Sequence, residues 1–123
     1  MQSQNAKAKT ELKHRAYQYS IKMIEFLDAL PNDISTGVIT KQLLRSATSI
    51  GANIVEARGA GSKKDFTNFF AHSLKSANES LYWLGLLRDA KKINSTQLEC
   101  LLNETRELAN ILGSSILTLK GRR

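Results

Sequence analysis

The fold of this chain is decided by residues 49–87, whose sequence is SIGANIVEARGAGSKKDFTNFFAHSLKSANESLYWLGLL. Apolar residues recur at steps of three and four on both sides of a short break that contains Gly59 and Gly61. This spacing is typical of amphipathic helices and gives each of two consecutive helices one apolar stripe. The stretch therefore predicts two long helices that face each other across an apolar seam.

The same periodicity extends to both ends of the chain, and it nowhere changes to the alternation of two that strands require. With 123 residues and only one proline, the chain is expected to form a single all-α domain over residues 1–123. The expected helices run from about residue 10 to 30, from 35 or 36 to 58, from 62 to 90, and from 95 or 96 to 120. Because short breaks join these helices, the simplest packing is an antiparallel up-down-up-down four-helix bundle.

The helix ends carry recognisable signals. Ser35 or Thr36 is expected to cap the second helix, and Ser62 followed by Asp65 resembles a capping box that starts the third. Gly59 and Gly61 are expected to stop the second helix, since glycine tolerates the left-handed conformation that commonly closes a helix. Along the first helix, the predicted apolar face consists of Ala16, Tyr17, Ser20, Ile21, Met23, Ile24, Leu27 and Leu30.

The lone cysteine, Cys100, cannot form a disulfide within the chain, which favours a reducing compartment. It is expected to be a partly buried helix residue, as free cysteines usually are. Residues 1–7 lack the apolar stretch of a signal peptide, and no run approaches the length of a membrane span. The sequence thus predicts a cytoplasmic protein that does not enter a membrane.

Basic residues outnumber acidic ones by 18 to 11, which gives a net charge of +7. An antiparallel bundle would bring the start of the first helix, the turn between the second and third, and the end of the fourth to one end. That end, which we call the basic end, would hold the whole charge excess and would attract phosphate backbones. Its basic residues, the predicted nucleic-acid-binding set, are Lys7, Lys9, Lys13, Arg15, Arg58, Lys63, Lys64, Lys120, Arg122 and Arg123.

No aromatic residue belongs to this set, so the sequence predicts phosphate contacts without base stacking or sequence-specific readout. In favour of anion binding, Ser62, Lys63 and Lys64 begin a helix, whose free N–H groups and dipole attract negative charge. The opposing interpretation is that flexible basic ends, at about residues 1–9 and 120–123, and a solvated turn only keep the protein soluble.

The sequence contains no catalytic constellation. Residues 59–64, GAGSKK, lack the spacing of a phosphate loop and follow a helix instead of a strand. His14 and His72 have no cysteine or carboxylate pattern that would make a dyad or a metal site. We therefore expect a protein that is not an enzyme and that holds no cofactor or metal. A weaker alternative is an enzyme whose site lies at a subunit junction and is built from Asn53, Glu56 and Glu79.

The third helix carries more apolar surface than its partner helices would cover, which suggests a second interface. The residues that lie beside or beyond its main seam, and that form the predicted oligomer interface, are Phe69, Tyr82, Trp83 and Leu86. Polar residues also occur on or next to the facing seams of the second and third helices, where hydrogen bonds would fix the helix register. These are Ser46, Ser49, Asn53, Ser73, Ser76 and Glu79.

Two runs, QLLRSA at residues 42–47 and SIGANIVE at residues 49–56, carry a resemblance to a known family together with scattered positions further on. The chain resembles the small bacterial four-helix bundle proteins encoded in intervening sequences of 23S ribosomal RNA genes, over nearly its whole length. It departs from the family pattern at Ala57, where glycine is frequent, and at Lys75, where a small residue is usual. The motif residues are Ser49, Asn53, Glu56, Ser62, Asp65, Phe66, Ser76 and Glu79.

The resemblance implies an antiparallel four-helix bundle that assembles as a homopentameric ring. It also implies kinship with the accessory proteins of diversity-generating retroelements, which are basic pentamers that bind nucleic acid and a reverse transcriptase. No enzymatic activity or cofactor comes with the family, and its ribosomal label does not make the chain a ribosomal subunit.

Two hypotheses about function follow. The first is a non-catalytic, oligomeric scaffold whose basic end, repeated around a ring, binds RNA or DNA through phosphates, since repetition multiplies weak contacts. The alternative is a protein-interaction adaptor that grips another protein through the apolar surface of the third helix, with the basic ends serving solubility only.

Overall fold

The computed structural model describes residues 3–91 and 93–121, and the side chains of residues 3–10 lie outside that description. Within these residues the chain forms four helices and no strand, which confirms the all-α prediction. The first helix begins seven residues earlier than expected. The helices are α1 (Ser3–Asp28), α2 (Ile34–Arg58), α3 (Lys63–Asp89) and α4 (Thr96–Leu119).

The helices pack in chain order around a common core, and α4 returns to contact α1. In the described part of the chain, the backbones of the diagonal pairs, α1 with α3 and α2 with α4, do not approach each other. Contacts across the α2–α3 seam fix the direction of these two helices, because Ser46 meets Ser80 whereas Ser49 meets Ser76. The residue numbers fall along α3 as they rise along α2, so this pair is antiparallel, as a four-helix bundle with short connections requires.

The core stripe of α1 is rotated relative to the predicted face. Tyr17 and Ile24, both expected inside, are 64% and 42% exposed. Tyr19 and Phe26 have the same seven-residue spacing, and they are the pair that is buried. The inward position of Tyr19 lets its hydroxyl form a buried hydrogen bond with Thr105. The buried residues of α1 are Leu12, Ala16, Tyr19, Met23 and Phe26.

Hydroxyl groups from all four helices meet inside the apolar core. The Tyr19 hydroxyl lies 2.6 Å from Thr105 Oγ1, and the hydroxyls of Ser46 and Ser80 are 2.8 Å apart. Burial raises the pKa of Tyr19 to about 12, an effect that hydrogen bonds from Thr105 and Ser80 partly offset. Among the described residues, every buried side-chain nitrogen or oxygen has a hydrogen-bond partner. The polar groups of the core are therefore satisfied, and they link the helices without the cost of an unpaired buried group.

The cap of α3 agrees with the sequence-based prediction, whereas that of α2 does not. Ser62 Oγ accepts a hydrogen bond of 3.1 Å from the backbone N–H of Asp65, as expected, and Ser95 caps α4 in the same way. The cap of α2 is Asp33, and the prediction of Ser35 or Thr36 is wrong. The Asp33 carboxylate accepts from both N–H and Oγ1 of Thr36, and these bonds, with that from Lys91, hold its pKa well below the usual range.

The α2–α3 turn does not use a left-handed glycine, so that expectation for Gly59 and Gly61 is also wrong. Gly59 has φ −96°, and its N–H donates to the carbonyl of Glu56 at 3.1 Å. The turn thus closes α2 by tightening the last hydrogen bonds of the helix, which any residue can do. Gly121, after α4, is the glycine of the described part that has a positive φ, at 71°.

Cys100 is exposed on α4, contrary to the expectation of partial burial. The inward stripe of α4 is formed by Leu98, Leu101, Leu102 and Thr105, and residue 100 falls between these positions on the outer side of the helix. None of the helices in the described part has an apolar stretch long enough to cross a membrane.

Candidate nucleic-acid interface

The antiparallel topology brings the C-terminus of α2, the N-terminus of α3 and the C-terminus of α4 to the basic end. Arg58 is the last residue of α2, Lys63 and Lys64 are the first two of α3, and Lys120 follows α4. Lys13 of α1 lines the same groove as Arg58. All five side chains are exposed and, within the described residues, none of them forms an ion pair. Their charges are therefore directed to solvent and are not neutralised by neighbouring carboxylates.

Four members of the predicted set cannot be placed. The side chains of Lys7 and Lys9 and the whole of Arg122 and Arg123 lie outside the described residues. Their contribution to the basic end stays a prediction.

Arg15 does not belong to the free basic surface. Its Nε donates to Glu104 Oε2 at 2.6 Å, its Nη2 donates to Glu104 Oε1 at 2.9 Å, and the guanidinium also binds Glu107. The forked contact raises the pKa of Arg15 and lowers that of Glu104. The structure thus places this guanidinium as a link between α1 and α4, and its predicted place in the phosphate-binding set stays a prediction that the ion pair disfavours.

The two lysines at the start of α3 lie on a helix end that is capped by Ser62. The Ser62 hydroxyl already satisfies the N–H of Asp65, and the carbonyl of Ser62 accepts from the N–H of Phe66. The Phe66 ring stacks on Phe70, with centroids 4.7 Å apart, which anchors this first turn to the core. Lys63 and Lys64 therefore project from a rigid position at the positive end of the helix dipole.

A groove runs between α1 and α2 from the basic end towards the middle of the bundle. Its volume is about 550 Å³, and we call it the α1–α2 groove. Sequence reasoning missed it because the predicted apolar face of α1 places Tyr17 and Ser20 inside the bundle. Once Ala16 and Tyr19 are taken as core positions, the spacing of Lys13, Tyr17 and Ser20 places these three together on an outer face. The residues that line the groove include Lys13, Tyr17, Ser20, Ala52, Val55 and Arg58.

The polar motif residues act mainly within and across the α2–α3 seam. Ser76 Oγ donates to Ser49 Oγ at 3.1 Å, and Ser73 Oγ donates to the carbonyl of Ile50 at 2.8 Å. Asn53 Nδ2 donates to the carbonyl of Ser49, one turn earlier in the same helix. The serines therefore form the expected hydrogen bonds across the seam, whereas Asn53 bonds within α2.

Asn53, Glu56 and Glu79 do not form a common site within one chain. The Ser46–Ser80 contact places Glu79 beside residue 46 of α2, so Asn53 lies seven residues, or about 10 Å, further along the axis. Glu79 accepts from the Trp83 indole N–H at 2.9 Å, and Glu56 is exposed. Among the described residues, no group of three or more His, Cys, Asp or Glu could hold a metal ion.

The predicted oligomer interface on α3 is less free than the sequence suggests. Phe69 and Trp83 are partly buried and pack against the core of their own chain, and Leu86 is half-buried. Tyr82 is 61% exposed, with its ring edge-on to Trp83 at 5.1 Å. The surplus apolar surface of α3 is therefore concentrated at Tyr82 and the outer edges of its neighbours.

The matches with known proteins agree with this architecture. The model of the family described as 23S rRNA-intervening sequence protein matches residues 8–114, which include all of α2 and α3 and most of α1 and α4. The chain belongs to this family. Lys13, Arg58, Lys63 and Lys64 fall inside the matched region, and Lys120 falls outside it.

A solved structure is also similar to this chain. It is the crystal structure of a protein of unknown function from the S23 ribosomal protein family of Bacteroides thetaiotaomicron, with 39% sequence identity and a TM-score of 0.79. The match covers 85% of this chain and 97% of that one. No curated protein matches the chain. The relatives therefore show the family and the fold and leave the activity to be argued from the site.

Proposed function

We propose that this protein is a non-catalytic, oligomeric scaffold that binds the phosphate backbone of RNA or DNA. The observation that carries the proposal is the basic end, where Lys13, Arg58, Lys63, Lys64 and Lys120 are exposed and, within the described residues, unpaired by any carboxylate. A cation that is already paired must give up its partner before it can bind phosphate. These five cations meet no such cost, and each phosphate that they neutralise releases condensed counterions from the nucleic acid, which favours binding.

Rigid placement distinguishes this patch from basic tails that only add solubility. Arg58, Lys63 and Lys64 lie on helix ends whose turns are hydrogen-bonded, so little backbone entropy is lost when they bind. The affinity of one basic end is weak, because each phosphate contact is exposed to water and salt. Assembly as a homopentameric ring, which the family resemblance implies, would repeat the patch and raise the avidity.

The same resemblance leads us to include a protein partner in the proposal. Kinship with the accessory proteins of diversity-generating retroelements would make a reverse transcriptase a candidate for that partner. Co-purification of a tagged form after nuclease treatment would test this component separately from nucleic-acid binding.

The decisive experiment measures the affinity of purified, nuclease-treated protein for RNA and for DNA over a salt series, with the mass in solution determined alongside. The double variant Lys63→Gln/Lys64→Gln is expected to bind more weakly. It is also expected to flatten the dependence of log K on log salt by about 0.7 to 0.9 for each phosphate that the protein no longer neutralises.

A matched control is Lys22→Gln/Lys41→Gln, which removes the same charge from exposed positions away from the basic end. It is expected to change affinity far less, since long-range attraction is screened over about 10 Å at moderate salt. Equal losses of affinity in the two double variants would show that net charge alone governs binding. Absence of binding at low salt would reject the proposed function.

A further inference from the structure

We propose that the α1–α2 groove binds single-stranded nucleic acid, with an unpaired base stacked on the Tyr17 ring and the flanking phosphates held by Lys13 and Arg58. This inference rests on the proposed function and names the form of nucleic acid that the site takes. It also reverses the expectation, drawn from the sequence, that base stacking has no aromatic platform near the basic end.

Tyr17 is the platform. It is 64% exposed, so most of its surface is accessible to a ligand. The ring lies in the groove with Ala52 and Val55, and these small apolar side chains leave room above the floor. The volume of about 550 Å³ falls within the range of small-molecule sites, so it can hold a nucleotide.

Close approach of the two helices forms the floor of the groove. Ala16 is fully buried, and a Cβ atom built on Gly51 would lie 3.4 Å from the Ala16 Cβ. The backbones of α1 and α2 thus nearly touch beneath the groove. A ligand in it would be supported by two rigid helices instead of by a loop, which limits the ordering cost of binding.

The charge of the groove selects an anionic ligand. Lys13 and Arg58 line it, and no carboxylate is found among the described residues of its lining. Arg58 ends α2, so the groove opens directly onto the turn that leads to Lys63 and Lys64. A strand lying in the groove could therefore continue across the basic end with its phosphates on cations throughout.

An exposed ring beside two cations favours a single strand over a duplex. Bases in a duplex are stacked on one another, so their faces are not available to a tyrosine unless a base is flipped out. A single strand offers both free base faces and phosphates, and stacking on aromatic side chains is the usual way proteins hold it without regard to sequence. The Ser20 and Thr48 hydroxyls donate to carbonyls of their own helices, so they provide no strong base-specific readout.

The test compares binding of a 20-nucleotide oligothymidylate and of a 20-base-pair DNA duplex at one salt concentration. Tyr17→Ala is expected to weaken binding of the oligothymidylate by about 5-fold or more, since stacking contributes about 1–3 kcal/mol per base. Ala52→Leu is expected to do the same by filling the groove, without removing the ring or a charge. Duplex affinity and the salt slope of either variant are expected to match those of the wild type.

Two variants serve as controls. Tyr17→Phe keeps the ring and is expected to bind the oligothymidylate within two-fold of the wild type, and Ile24→Ala removes an exposed apolar residue of α1 elsewhere. If Tyr17→Ala and Ala52→Leu bind the oligothymidylate normally while Lys63→Gln/Lys64→Gln does not, the groove is not the site but the proposed function stands. If the wild type binds neither probe at low salt, both proposals fail. Binding of polyglutamate that disappears in Tyr17→Ala would make the groove an acidic-peptide site and overturn the inference.

Discussion

The α2–α3 pair and helix α1 are held in the bundle by different means. The α2–α3 seam is crossed by short hydrogen bonds at three successive levels, made by Ser46, Ser49 and Ser73, and the two helices pack along most of their length. Helix α1 contacts α4 over only a short stretch, through the Tyr19 hydroxyl and the ion-paired Arg15. Open grooves flank α1 on both sides.

This difference indicates that the α2–α3 pair mainly stabilises the fold, whereas the surfaces beside α1 are available for binding. The α2–α3 pair supplies a rigid frame that also carries Arg58, Lys63 and Lys64 at its turn. Helix α1 buries one stripe of five side chains in the core but makes few polar contacts with its neighbours, and the grooves beside it are the surfaces that can accept a ligand. Changes at the few α1 contacts should therefore loosen that helix first and leave the frame intact.

The contact between Gly51 and Ala16 is the point where α1 packs most closely on α2. Gly51→Leu is expected to lower the free energy of unfolding by about 1–3 kcal/mol, because the added side chain must displace α1. Urea unfolding measures the loss, and amide hydrogen exchange locates it in α1. Gly113→Leu is the control, since a Cβ at this position meets nothing within 4 Å. Its free energy of unfolding is expected to rise by up to about 1 kcal/mol, because leucine has a higher helix propensity than glycine. Uniform exchange through all four helices in Gly51→Leu would show that α1 is not separately mobile.

The Tyr19 hydroxyl is the second fixed point of α1. Tyr19→Phe is expected to lower the free energy of unfolding by about 1–2 kcal/mol at neutral pH, because Thr105 Oγ1 loses the buried hydrogen bond with the phenol and keeps only its bond to the carbonyl of Leu101. The pKa of Tyr19 is raised to about 12, so the folded state favours the neutral phenol. The stability that this provides is present below the unfolded pKa of about 10 and is lost as the pH rises towards 12. The difference in free energy of unfolding between the wild type and Tyr19→Phe should therefore become smaller as the pH rises from about 10 to about 12. Tyr17→Phe, whose ring is exposed, is the control and should leave the stability at neutral pH unchanged.

The sequence predicts the frame well because its pattern is local. The helical spacing of apolar residues identifies α2 without knowledge of the rest of the chain, as at Ile50, Ile54 and Ala57. The break before α3 is identified equally locally, by Gly59 and Gly61. The confirmed Ser62 cap is equally local, since its partner lies three residues away. The basic end then follows from topology, because short connections make neighbouring helices antiparallel.

The attachment of α1 could not be predicted in the same way. Two pairs of α1 residues have the same seven-residue helical spacing, Tyr17 with Ile24 and Tyr19 with Phe26. The second pair faces inward, where the Tyr19 hydroxyl bonds to Thr105, which is 86 residues away in the sequence. The fate of Arg15 likewise depends on Glu104, 89 residues later. The α1–α2 groove becomes visible only when this rotation is known. Long-range polar contacts thus decide which of two apolar faces becomes the core and which becomes the candidate site.

The Arg15–Glu104 pair should give the smallest effect and the clearest division between the two roles of basic residues. Both side chains are about one-third exposed, so Arg15→Met is expected to cost at most about 1 kcal/mol at neutral pH. The pKa of Glu104 is lowered, chiefly by the hydrogen bond from Arg15. The pair therefore stabilises the fold above the unfolded pKa of about 4.3, and this contribution is lost as the pH falls through the lower folded value. Between pH 7 and 3, the free energy of unfolding should fall less in Arg15→Met than in the wild type, with Arg106→Met as the exposed control.

The same variant tests whether Arg15 contributes to nucleic-acid binding. Because Arg15 is already paired with Glu104 and Glu107, its removal should leave the salt slope of nucleic-acid binding unchanged. A slope reduced as far as in Lys63→Gln/Lys64→Gln would instead return Arg15 to the binding surface.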